Sequence, residues 1–289
     1  MAESLQLSEF NALISLLDEP DELLYSEIEL NLIQGGMPYI SHLEELLGNT
    51  LDSATYARIQ FIIHNIRINE VFVQLGRWIR EGGNNVLEAF LYISKLEQPL
   101  MNYEKVHQDL SRLQHDVWLE MNENLTAIEQ IKVLNQVFFL NHQFKGVAPK
   151  DLSPAHFCLS NILETKCGSP IGLGIIYMHI AQSLKIPVFG VNLASNFLLA
   201  YTESYTQTLK LLPSGKVLFY INPNKEGVMF TEEEIKLFVL HHQLHNQVSN
   251  YTPISNYLVI FRLINDLMSV HPENIKSEIL KTLLDLFSE

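Results

Sequence analysis

The chain has 289 residues, 47% of them apolar, and a formal charge of −14, with 13 Gly, 11 Pro and no low-complexity tract. These values exclude a disordered chain and a single small domain, and fit two domains or one domain with a helical extension. The acidic balance, with no Lys/Arg cluster, argues against nucleic acid or an anionic membrane surface as partner, and no apolar run reaches the roughly 18 to 20 residues of a membrane span.

From Ser8 to about Leu140 the pattern is helical with short breaks. Ser8 is an N-cap candidate for a helix ending at Asp18-Glu19-Pro20, and Asp21 caps a second that Gly35-Gly36 stops. Met37 to Leu47 makes a third. The longest begins at Asp52 or Ser53 and carries Ile59, Ile62, Ile63, Ile66, Val71 and Leu75 before Gly82-Gly83. Val86 to Leu96, Tyr103 to Met121 and Thr126 to Asn141 complete about seven helices, the last opening on a capping box of Thr126 and Glu129. Links this short favour antiparallel neighbours, so stacked helical hairpins are expected.

The character changes near Asn141. A loop over His142 to Ser153 precedes a short helix from His156 to Glu164, and then Gly168 turns the chain into an apolar stretch, Pro170 to Leu184. Proline suits a first helical turn, so this predicts a buried central helix, closed by Lys185-Ile186-Pro187. Strands are expected at Val188 to Leu193, Phe197 to Thr202 and Lys216 to Ile221, with Pro213-Ser214-Gly215 as a turn. Thr231 to Glu234 opens another helix, and Ser255 to Val270 and Glu273 to Phe287 form a pair around His271-Pro272 that could cap the end of the fold. The expected domains are an all-helical 1–145, an α+β 146–250 and a C-terminal helical hairpin 251–289.

Several of these residues carry a resemblance. Glu164-Thr-Lys-Cys-Gly-Ser-Pro-Ile-Gly-Leu, Gly190-Val191-Asn192-Leu193, Phe197-Leu198-Leu199 and Tyr220-Ile221-Asn222-Pro223 together resemble the SirB-type transglutaminase-like proteins, and Asn11 to Asp21 resembles the start of that family's helical region. The resemblance implies a papain-like domain, a small antiparallel sheet packed on a central helix. It also implies a Cys–His–Asp constellation: Cys at the helix N-terminus, His on one following strand and Asp on the next, the thiol activated by helix N–H groups and imidazole. Here Pro170 stands at the nucleophile position, as is common in the SirB type. Asn196 stands where that family usually has His, and Asn222 where it usually has Asp. An amide accepts no proton at neutral pH, so all three roles are vacant if Pro170, Asn196 and Asn222 converge.

Chemistry elsewhere has thinner support. Cys167 lies beside the helix start but needs a base, and the expected strand offers only Asn196; with two cysteines, Cys158 and Cys167, neither a disulfide framework nor a four-thiolate zinc site can form. His179, mid-way along an apolar helix, reads as a satisfied core histidine. His241 and His245 would share a helix face as an i, i+4 pair, a weak metal candidate with no acidic residue between them. The expected function is a non-catalytic, protein- or peptide-binding or regulatory scaffold with no cofactor. The alternatives are a cysteine amidase or peptidase using Cys167, or a small-molecule sensor with a cleft formed by Cys167, Ser169, Asn196 and Asn222. The N-terminus Met1-Ala2-Glu3-Ser4 has no basic, apolar leader, so a cytoplasmic location is expected.

Overall fold

Two compact units, Met1–Leu75 and Gly76–Glu289, make up the chain. The structure is a computed structural model that describes residues 10–193, 196–203, 216–241, 251–271 and 275–287. In the first unit α1 (Glu22–Gly35) starts where Asp21 accepts from the N–H groups of Leu23 and Leu24, at 2.9 and 3.3 Å. Its last residue, Gly35, has room for no Cβ because the Tyr39 ring fills that space, and the helix stops where Gly36 turns to φ 70°. A 3₁₀ turn leads into α2 (Ile40–Asn49), and α3 spans Ser53–Arg80. Leu32, Leu43, Ile59, Ile62 and Ile66 form the core of this unit.

The second unit opens with α4 (Val86–Glu97), α5 (Tyr103–Glu120) and α6 (Ala127–Asn135). The capping box expected at Thr126 and Glu129 is present. Next come β1 (Lys145–Gly146), α7 (Leu159–Thr165), β2 (Cys167–Gly168) and the central helix α8 (Pro170–Ser183). Every residue of α8 from Ile171 to Met178 is buried. Its glycines let its neighbours come close: a Cβ on Gly172 would stand 2.6 Å from Cδ1 of Ile162 in α7, and one on Gly174 would stand 2.5 Å from the Phe197 ring.

The strands β3 (Val188–Leu193), β4 (Asn196–Thr202), β5 (Val217–Asn222) and β6 (Val228–Phe230) form an antiparallel sheet in that order, with Gly190 opposite Leu199 and Leu199 opposite Ile221. Alternation gives the sheet two faces. Phe197 and Leu199 lie against Gly174 of α8. Val191, Leu198, Ala200 and Tyr220 point the other way, into a cluster with Ile235 and Val239 of α9 (Glu232–His241) and with Tyr251. The α+β class and the sheet on a central helix are thus as expected. Strand β6 and the parallel pair of β1 with β2 are additions, since strands of two or three residues leave no periodic trace. The turn expected at Pro213-Ser214-Gly215 lies outside the described residues.

The C-terminal pair, α10 (Asn256–Val270) and α11 (Ile275–Asp285), does form a hairpin, but α10 is no end cap. It packs on α4, α8 and β3; Val259 meets Gly190, and the Asn256 amide donates to the carbonyls of Gly83 and Asn84 at 3.0 and 2.9 Å. Both divisions drawn from the sequence, after 145 and after 250, fall inside the second unit. The reason is physical: the all-round apolar α8 needs cover on every side, and α4, α5 and α10 supply what the sheet does not.

Candidate functional site

The N-terminus of α8 is closed by its own hydrogen bonds. Ser169 is fully buried; its Oγ accepts from the Gly172 N–H at 3.1 Å, and its N–H donates to the His156 carbonyl at 2.9 Å. Pro170 is the first helical residue. Cys167 lies three residues upstream in β2, half-exposed and paired with Lys145, and its N–H donates to Thr165 Oγ1 at 3.3 Å. The His156 ring spends Nδ1 on the Ser153 N–H at 3.1 Å. Across from the helix start, the turn after β5 packs on β1 and α8, and buried Oδ1 of Asn224 has no hydrogen-bond partner among the described residues. Gly146 meets that oxygen so closely that no Cβ would fit. Asn224 therefore flanks this region more directly than Asn222 does.

The other two carried-over positions lie on the strands, Asn196 opening β4 and Asn222 closing β5. Extending the register of Leu199 and Ile221 sets Asn222 opposite Leu198, two residues from Asn196. Alternation places Asn196 on the side of Leu198 and Ala200, and Asn222 on the side of Tyr220. Both asparagines thus stand on the sheet face turned away from α8. Asn196 is exposed, and its carbonyl accepts from Arg262 Nη1 at 3.3 Å; Asn222 Oδ1 accepts from the Asn224 N–H at 2.9 Å. The topology brings Asn196 and Asn222 towards one another at one end of the sheet, and Cys167, Ser169 and Pro170 together at the helix start.

His241 is exposed at the end of α9, and His245 lies outside the described residues. Among the described residues no group of three or more His, Cys, Asp and Glu side chains is placed to hold a metal ion, and no helix is long and apolar enough to cross a membrane.

A feature that the sequence did not announce lies on the other side of α8. Leu87, Glu88, Leu91 and Tyr92 of α4 and Tyr103, His107, Leu110, Ser111 and Gln114 of α5 wall a groove of about 530 Å³ with His179 of α8 at its floor. On α5 these follow i, i+4, i+7, i+8 and i+11, one face of the helix. His179 is therefore not the satisfied core histidine expected from its apolar setting: it makes no hydrogen bond among the described residues and it meets the groove. Burial pushes its pKa below the ordinary value, and nearby His107 adds to the shift. A second feature is Asn135, which accepts from the Tyr177 hydroxyl at 2.8 Å and donates to the Gly227 carbonyl at 2.9 Å, tying α6, α8 and the β5–β6 turn together.

A UPF0162 protein of Vibrio cholerae is 20% identical over 186 residues, 61% of this chain and 65% of its own. One from Buchnera aphidicola is 26% identical over 110 residues, 34% of this chain and 40% of its own. F-box only protein 21 of Homo sapiens is 24% identical over 141 residues, 48% of this chain and 21% of its own. The chain thus spans less than two thirds of the length of each of these relatives, and no solved structure matches it. The family model described as "Transglutaminase-like superfamily" matches residues 104–265, from the first turn of α5 to α10 and including α8 and the whole sheet. That is more than half of the chain, and the chain belongs to the transglutaminase-like superfamily.

Proposed function

We propose that this transglutaminase-like protein binds a protein or peptide partner in the cytoplasm and does not turn over a substrate. The observation that carries the reading is the start of α8. The position where a thiol would profit from helix N–H groups is Pro170, and Ser169 beside it is buried with its hydroxyl already committed to Gly172. The nearest thiol, Cys167, has no imidazole bonded to it among the described residues. Asn196 and Asn222, the other two carried-over positions, offer amides rather than an acid/base pair, and alternation sets them on the far face of the sheet. The match to part of a much longer F-box only protein also favours a role as a binding module. Two unjoined cysteines suit a reducing compartment.

The test is turnover by the full chain, scored as incorporation of monodansylcadaverine into casein and as release from a peptide p-nitroanilide. The expected result is no signal above that of a Cys167→Ala variant. Turnover that Cys167→Ala abolishes would replace this reading with a cysteine amidase or peptidase.

A further inference from the structure

Lys166 is held in a way that sets it apart from a surface lysine. It closes α7 in the left-handed region, at φ 62°, with its N–H donating to the Ile162 carbonyl at 2.9 Å and its carbonyl accepting from the Lys145 N–H at 2.8 Å. The half-buried side chain therefore leaves from a fixed root. It lays Nζ over the ring of buried Phe144, 4.8 Å from the centroid, and that ring stacks in turn on buried Phe138 with centroids 4.3 Å apart. Lys105, Lys236 and Lys276 each reach a carboxylate, at 3.7, 2.7 and 3.2 Å. The Lys166 amine has no ion pair or hydrogen bond among the described residues. A π face holds an ammonium less firmly than a carboxylate does, so this amine is the less committed to its proton.

The surroundings of that amine are cationic although the whole chain carries −14. Lys105, Asp109 and Arg112 stand at i, i+4 and i+7 on one face of α5, close enough to Lys166 to act on its charge. Lys105 is shared with Glu164 of α7, whereas exposed Arg112 has no ion pair among the described residues. His142, stacked on the Phe144 ring with centroids 6.5 Å apart, is taken by Asp116 at 2.8 Å. Burial pushes the Lys166 pKa below the ordinary lysine value; Asp109 opposes the shift, and Arg112 and Lys105 add to it. Free amine is the nucleophile, and Lys166 supplies it at lower pH than a solvated lysine.

From this geometry we propose that Lys166 Nζ is a site of covalent acylation by a small acyl phosphate. The neutral amine attacks the acyl carbon and forms a C–N bond. The C–O bond to phosphate breaks, phosphate leaves with that electron pair, and the extra proton on nitrogen passes to water. The products are an amide on Lys166 and inorganic phosphate. Arg112 and Lys105 favour this class of donor, because they attract its phosphate group towards the amine and stabilise the charge with which it departs. The step uses no group at the start of α8, so it stands whether or not that region turns over a substrate.

The test treats the full chain at low ionic strength with acetyl phosphate, or with the uncharged N-hydroxysuccinimidyl acetate, and follows acetylation of each lysine by mass spectrometry. Exposed Lys150, which also has no ion pair among the described residues, is the internal reference. At about pH 7.5 acetyl phosphate should modify Lys166 about tenfold faster than Lys150, the lower end of what electrostatic focusing achieves. That advantage should shrink as pH rises to about 10.5, where a solvated lysine is also largely free amine. Arg112→Gln, at an exposed position of α5, should lower the ratio of Lys166 to Lys150 about threefold for acetyl phosphate and less for the uncharged ester. Equal rates at the two lysines, an advantage undiminished at the higher pH, or an Arg112→Gln effect of the same size for both reagents would each overturn the proposal.

Discussion

Two places on the central helix are built in opposite ways. At the start of α8 the helix closes on itself: Ser169 is buried and caps Gly172, Pro170 has no N–H to offer, and the Ser169 N–H is taken by the His156 carbonyl. Nine residues further on, His179 breaks the apolar surface and meets an open groove without a protein partner among the described residues. The end where related folds are expected to carry chemistry has the Ser169 hydroxyl and N–H committed within the protein, while further along, where only packing was expected, a half-buried histidine meets a groove.

The largest expected effect comes from the packing that both places share. Gly174→Ala puts a Cβ 2.5 Å from the ring of buried Phe197, and the core has to shift. A loss of about 1–3 kcal/mol in urea unfolding is expected, as for other overpacked cores. A change too small to measure would mean that the sheet is not pressed onto α8. Next in size, Ser169→Ala removes the cap at the closed end and should cost about 1 kcal/mol. A stability equal to wild type would show that this end is not held by its cap.

The smallest effect belongs to the open place. Burial first, and His107 second, lower the pKa of His179 in the folded state. The unfolded chain therefore binds a proton that the folded one refuses. This penalty is absent above the ordinary histidine pKa and grows as pH falls through it towards the lowered value. His179→Phe should accordingly lose less of its stability than wild type between pH 7.5 and 5.5. Identical slopes would mean that His179 titrates alike in both states.

Much of the fold was legible because long amphipathic or fully apolar segments carry a strong period. The helices α4, α5 and α8, the capping box at Thr126 and the strands around Gly190 and Phe197 all follow from local pattern. What was not legible depends on contacts distant in sequence. Gly172 and Gly174 read as helix-weakening until Ile162 and Phe197 are seen against them. Tyr177 reads as one more core aromatic, although its hydroxyl is bound to Asn135. The division after residue 145 followed a true change of local pattern, but α4 and α5 before it and the sheet after it cover the same helix. The start of α8 was placed correctly from Gly168 and Pro170, whereas the side of the sheet on which Asn196 and Asn222 stand required the register. His179 could have been singled out as the polar residue in an apolar helix; its partner His107, 72 residues earlier, could not.

The most direct measurement puts the missing residue types back. The triple variant Pro170→Cys, Asn196→His, Asn222→Asp, shown to be folded by circular dichroism, is assayed for casein labelling by monodansylcadaverine and for p-nitroanilide release. With the two strand positions on the face turned from α8, no activity above wild type is expected. Thiol-dependent turnover, gained in the triple variant and abolished by iodoacetamide, would show that the three positions meet at one site and would contradict the separation on which the non-catalytic reading draws.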